Sequence, residues 1–170
     1  MIRAAALEDL DCLVDLETRI FREQAWHRQE LRFELSAPSR TYLVWDGQGA
    51  ILGYGGYWSG ERDAELMTIG VLPEARHRGI AGSLLARLIA EADREGLQRM
   101  SLKVRVDNTA AIDLYQGFGF WQSGLCKGYY QPEDVDAWTM TRPLSSVGPG
   151  PVGSVSDNLS NGQERIIDHE

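Results

Sequence analysis

Residues 74–92, EARHRGIAGSLLARLIAEA, carry Arg76, His77 and Arg78 straight into the turn Gly79-Ile80-Ala81-Gly82-Ser83, and an apolar-periodic helix follows. The start of a helix leaves backbone N–H groups unpaired and holds about half a positive charge, so it attracts anions. Small residues let a ligand approach the backbone there, and the arginines add charge. The pattern is not a P-loop, which needs a Gly-Lys-Ser/Thr triplet, because no lysine lies between Asp46 and Lys103. Nor is it a dinucleotide fingerprint, which follows directly on a strand, since LPEARHR intervenes. The competing reading of the turn alone is a plain loop with solvated arginines. Other residues able to do chemistry are Tyr115 in IDLYQGF, the pair Tyr129-Tyr130, and Glu65 and Lys103 within strand-like segments. Each also has a bland reading: Tyr115 as a core tyrosine, the tyrosine pair as packing, Glu65 as a solvated charge at a strand start.

Several elements must position these groups. The pattern predicts a short strand at MIRAA and a helix in LEDLDCLVDLETRIF, on Leu7, Leu10, Leu13, Val14, Ile20 and Phe21. A second helix in HRQELRFELSA stops before Pro38. TYLVWD and ILGYGGYWS, joined by GQGA, read as a hairpin, and AELMTIGV as a further strand. A helix from Ile80 ends at Gly96. In RMSLKVRV, Met100, Leu102, Val104 and Val106 alternate with Ser101, Lys103 and Arg105, which face the other way. A short helix in TAAIDLYQGFGF and two closing strands complete an α+β order around a mostly antiparallel, mixed sheet of six to seven strands.

The 170 residues suggest one folded domain over residues 1–144. Residues 145–170 are rich in Gly, Ser, Pro and Asn and read as a disordered tail. The formal net charge is −8; Asp157, Glu164, Asp168 and Glu170 against Arg165 put −3 of it in that tail. Such an acidic balance argues against direct nucleic-acid binding. No apolar run is long enough for a membrane helix, and the N-terminal residues lack the apolar core of a signal peptide, so a cytoplasmic protein is expected. Cys12 and Cys126 are expected as buried free thiols, and the scattered His27, His77 and His169 suggest no metal site.

RHRGIA resembles the Arg/Gln-x-x-Gly-x-Gly/Ala signature of the GCN5-related N-acetyltransferases. ELMTIGVLPEARHRGIAGSLL is similar to that family's strand, connector and helix in order, and LKVRVDNTAAIDLYQGFGF to its downstream segment. The opening IRAAALEDLDCLVDLETRIF and the ending KGYY…DAWTM resemble the ribosomal-protein-alanine N-acetyltransferases, over about residues 1–143. The resemblance implies the GNAT fold, with a splayed cofactor cleft between strands four and five, acetyl-CoA as donor, and the N-terminus of a small-subunit ribosomal protein as acceptor. It implies no metal, and a monomer or weak dimer is expected. It further implies that the backbone of Ile69, Gly70 and Val71 pairs with the pantetheine arm. By the same resemblance the segment Arg76 to Ser83 is expected to hold the pyrophosphate, above all through the N–H groups from Arg78 onward. Asn108, which could equally cap the following helix, is expected to contact the cofactor. Tyr115 falls on the residue that the family uses as general acid for the departing thiolate. Tyr129 and Tyr130 are expected to grip the substrate, with the Phe21–Trp26 loop as the opposite wall.

One position departs from the resembled pattern: the general-base glutamate before Val104 is Lys103 here. A lysine, with an ordinary pKa near 10.4, is a poor base at neutral pH. Glu65, thirteen residues before Arg78, is the replacement in view, at the spacing of the catalytic glutamate in histone acetyltransferases. Strict alternation puts Glu65 on the side of Met67, Ile69 and Val71. The alternatives are an acetyltransferase of a small amine or lysine side chain, and a catalytically weakened acyl-CoA-binding module.

Overall fold

The structure, a computed structural model, describes residues 1–145 and the backbone of Arg165–Ile167. The elements are β1 (Ile2–Ala4), α1 (Leu10–Phe21), α2 (Arg28–Ser36), β2 (Arg40–Asp46), β3 (Ile51–Ser59), β4 (Asp63–Val71), α3 (Ile80–Arg94), β5 (Arg99–Arg105), α4 (Thr109–Gly117), β6 (Trp121–Tyr130), β7 (Val135–Pro143) and β8 (Arg165–Ile167). They build one sheet in the order β1-β2-β3-β4-β5-β7-β6, with β8 added beside β4. Pairing is antiparallel except at β4–β5 and β4–β8. The predicted sequence of strands and helices is therefore observed from β1 to β7.

Helices cover both faces. α3 buries Ile80, Ala81, Leu84, Leu85, Leu88, Ile89 and Ala92, and each large side chain among them gains roughly 1.5–3 kcal/mol on leaving water. α1 buries Leu10, Leu13, Leu16, Glu17, Ile20 and Phe21, whereas Leu7 belongs to a preceding 3-10 turn and is exposed. On β5 the alternation is as predicted, with Met100, Leu102 and Val104 buried and Ser101, Lys103 and Arg105 only partly so, whereas Val106, expected inward, lies past the strand and is half-buried.

Two expectations are corrected. Both cysteines are free, but Cys12 is exposed and Cys126 half-buried rather than core residues. Within the tail read as disordered, Arg165–Ile167 is a strand; residues 146–164 and 168–170 lie outside the described residues. Among the described residues no helix is long and apolar enough to cross a membrane, and no cluster of His, Cys, Asp and Glu could hold a metal ion.

Candidate active site

β4 and β5 run parallel but pair only at Asp63↔Arg99, Ala64↔Met100 and Glu65↔Ser101. Past Glu65 they part, and β5 continues its ladder with β7 to Arg105↔Ala137. The carboxyl half of β4, Thr68 to Val71, is thereby left unpaired by β5, and β8 pairs there with Thr68, Ile69 and Gly70. The splayed cleft expected between strands four and five lies here.

At the head of the cleft the chain leaves β4, makes a 3-10 turn at Pro73–Ala75 and enters α3. Gly79 sits at the N-cap with φ +74°, a left-handed conformation that costs a β-carbon-bearing residue about 1 kcal/mol or more, and no side chain caps the helix. The Ser83 hydroxyl and N–H both bond back to the Gly79 carbonyl, at 2.8 and 3.0 Å. The first-turn N–H groups of Ile80, Ala81 and Gly82 precede that bond and face outward along the helix axis. His77, also at positive φ, and Arg78 are exposed beside them. Arg76 is turned back, its Nε donating to the Val71 carbonyl at 3.3 Å. The uncapped N–H groups, the open space around Gly79 and the exposed cation fit a diphosphate. The open edge of β4 fits an extended amide-bearing arm.

The side chains of the cleft segregate by face, and a β-bulge decides how. β3 and β4 shift register between Gly56 and Tyr57, so that Gly56 opposes Thr68 but Tyr57 opposes Leu66, leaving Met67 as the extra residue. Glu65, opposite Trp58, therefore shares its face with Thr68 and Gly70 and not with Ile69 and Val71. This corrects the simple alternation. Ile69 and Val71 point toward α3, as do neighbouring positions of β3: a β-carbon on Gly55 would meet Leu88, and one on Gly53 would meet Ile80. Glu65 points to the α1 side, where a β-carbon on Gly70 would lie 3.1 Å from Ile20 and the Phe21 ring. Phe21 is thus packed directly on the open half of β4.

On that face Glu65 meets Lys103, Nζ to Oε1 3.8 Å. The Lys103 ammonium also lies 5.4 Å from the centroid of the Tyr129 ring, and the Arg105 guanidinium 5.4 Å from that of Tyr130. The two tyrosine rings meet edge to face at 5.1 Å. Arg105 is held by Asp107 through two bonds of 3.1 and 3.2 Å. Burial raises the Glu65 carboxyl above its ordinary value, while Lys103 and Arg40 pull it the other way. Burial, with the nearby Glu65 charge, pushes the Tyr129 hydroxyl up to about 12. Tyr130 is raised by burial as well. Lys103 is thus paired with a carboxylate reaching across from the neighbouring strand.

Tyr115 is fully buried on α4, its ring edge-on to Phe120 at 5.7 Å. Asn108 caps α4, accepting from the Ala111 N–H at 3.3 Å, so its structural reading is realised. Phe21 and Trp26 are both buried. Trp26 is fixed by a residue that the sequence reasoning missed: the buried Glu17 accepts from the Trp26 N–H at 2.8 Å and from the Tyr54 hydroxyl. The signal for Glu17 was its place in the buried stripe Leu13, Glu17, Ile20, where a carboxylate needs partners. Thr68, fully buried on the open half of β4, was missed too.

Comparison with known proteins agrees with this geometry. The family model described as Acetyltransferase (GNAT) family matches residues 7–120. The N-alpha-acetyltransferase RimI of Mycobacterium tuberculosis is 35% identical over 146 residues, covering 83% of this chain and 90% of that protein. A Bacillus subtilis protein named as a candidate ribosomal protein bS18-alanine N-acetyltransferase is 32% identical over 140 residues, 82% of this chain and 92% of its own length. The crystal structure of the ribosomal-protein-S18-alanine N-acetyltransferase from Escherichia coli superposes with a TM-score of 0.79 at 25% identity, covering 94% of this chain and 98% of that one. The chain belongs to the GNAT family of acetyltransferases, enzymes that draw their acetyl group from acetyl-CoA.

Proposed function

We propose that this acetyltransferase modifies the N-terminal α-amino group of a protein, an alanine-starting small-subunit ribosomal protein, and does so in the cytoplasm. The observation that carries the reading is the Glu65 carboxylate. It is partly buried, shifted toward higher pKa, and grouped with Lys103 and Tyr129 on the α1 face of the splayed strands. A raised carboxylate is a better base near neutrality than an ordinary one. The names of the relatives support the choice of acceptor.

When bound, acetyl-CoA supplies an activated thioester carbonyl for direct attack by the amine. The open N–H groups at the start of α3, with Arg78, hold the diphosphate, and the backbone of Ile69, Gly70 and Val71 orients the arm that carries the thioester. Glu65 accepts the proton that the amine loses. A backbone N–H of β4 near Val71 meets the developing oxyanion, and the Tyr115 hydroxyl donates to the departing sulfur. Tyr129 and Tyr130, with the Phe21–Trp26 wall, hold the acceptor, and Lys103 sets how firmly Glu65 keeps its proton.

The acceptor class suits a carboxylate base. With a pKa near 7.7–8, an α-amine is about one-tenth neutral at pH 7, whereas a lysine near 10.4 is neutral about four parts in ten thousand. The test is thiol release from acetyl-CoA with an alanine-starting ribosomal peptide and with the same peptide N-blocked but lysine-containing. Turnover on the first alone is expected. Turnover on the blocked peptide selects a lysine acetyltransferase, and cofactor binding without turnover on any amine selects an acyl-CoA-binding module.

A further inference from the structure

The open half of β4 is not empty in this chain. β8 lies along it in parallel register, Arg165 opposite Thr68, Ile166 opposite Ile69 and Ile167 opposite Gly70. It also touches α1 and β5, so it lies inside the splay rather than on an outer edge of the sheet. The same three backbone positions include two that are assigned to the pantetheine arm. An unpaired strand edge is a template for any extended chain that can offer matching N–H and C=O groups, and one edge cannot pair with two partners at once.

We propose that the splayed edge of β4 is a peptide-binding site whose occupant is the chain's own segment Arg165–Ile167, and that this segment and the cofactor exclude one another. The inference rests on the reading that the cofactor arm pairs with Ile69–Val71. The chain is long enough for the contact. Ser145 is anchored by Asp93, which accepts from its N–H at 2.7 Å and its hydroxyl at 2.8 Å. Nineteen residues then precede Arg165, enough to reach across up to about 65 Å. Because the occupant is tethered, its hold does not depend on protein concentration. A cofactor that can enter only when the segment leaves binds with its intrinsic affinity reduced by the fraction of molecules whose edge is open. A three-residue pairing offers only a few backbone hydrogen bonds, largely offset by the entropy lost in ordering the segment, so the reduction should be roughly three- to tenfold. Acetyl-CoA level would then set how much of the enzyme is in the closed form.

The experiment uses the full chain and Ile166→Pro, which removes a strand N–H and fixes φ without touching the folded domain. Hydrogen exchange is followed with and without coenzyme A, and coenzyme A affinity is measured by calorimetry. In the wild type, the amides of residues 165–167 should be protected without cofactor and released by it. In Ile166→Pro they should exchange freely, the amides of Thr68–Gly70 should open and be re-protected by coenzyme A, and coenzyme A should bind about three- to tenfold more tightly. If coenzyme A re-protects Thr68–Gly70 in the variant but binds both proteins equally, or the wild-type segment stays protected under saturating coenzyme A, the competition does not exist. If coenzyme A leaves Thr68–Gly70 open in the variant, the cofactor assignment itself fails and takes the competition with it. Protection of residues 165–167 that fades on dilution gives the strand to a second copy and overturns the intramolecular contact.

Discussion

In the proposed mechanism Glu65 and Tyr115 handle two protons, one taken from the amine and one given to the sulfur. Glu65 is held above its ordinary value by burial, with Lys103 opposing. The kcat–pH profile should therefore fall on the acid side, as pH drops through that raised value and the base becomes protonated. Glu65→Gln should abolish this limb. Lys103→Ala should move it to higher pH, because one of the positive charges that holds the carboxyl down is gone. A limb that ignores Glu65→Gln but moves with Lys103→Ala overturns the assignment of the base. Tyr115→Phe should lower kcat about 10²-fold or more, the usual size of a general-acid contribution, with coenzyme A affinity unchanged by calorimetry. The side of β5 that carries Lys103 was legible because the alternation runs unbroken through that strand. Which face Glu65 shares was not legible. Leu66, Met67 and Thr68 are all buried, so the hydrophobic pattern carries no mark of the bulge that inserts Met67.

Between elements, the buried carboxylate of Glu17 ties the α1–α2 connection to β3. Glu17 lies fully buried between the Trp26 N–H and the Tyr54 hydroxyl, so Glu17→Ala removes a shared acceptor from two buried donors. A loss of about 2–4 kcal/mol in unfolding free energy is expected from urea titration, together with a raised KM for the peptide as the Phe21–Trp26 wall loosens. An unchanged urea midpoint would show that this contact holds nothing. Periodicity made α1, α3 and β5 readable, since each repeats one apolar stripe. The Glu17–Tyr54 contact spans 37 positions in sequence, and nothing local to either residue announces it. β8 is hidden for a similar reason: three residues in a polar, Gly- and Ser-rich stretch carry no period, and an unpaired edge on a distant strand selects them.

Over the whole molecule, the N-terminal strand, the entry to α1 and the end of β2 are joined through Arg3. Its guanidinium bonds both oxygens of Asp9 at 2.8 and 2.9 Å and reaches Asp46 at 3.1 Å. The bond from Arg3 lowers the Asp9 carboxyl, against the opposing effect of burial. A carboxyl lowered by folding contributes stability above its unfolded value and loses it as pH falls through the folded one. Asp9→Asn should therefore cost about 1–3 kcal/mol at neutral pH and flatten the decline of the urea midpoint below the ordinary carboxylate range. The same body of sheet and helices presents one face of the splayed strands to α3 and the other to α1, with the proposed cofactor and acceptor groups divided between them. The acetyl group is proposed to leave this cleft on a protein's α-amine. Fragmentation of the product formed on an alanine-starting ribosomal peptide, with a free N-terminus and internal lysines, decides this. A single acetyl group on the N-terminal alanine is expected; an acetyl group on a lysine with the N-terminus still free would rule the α-amine out.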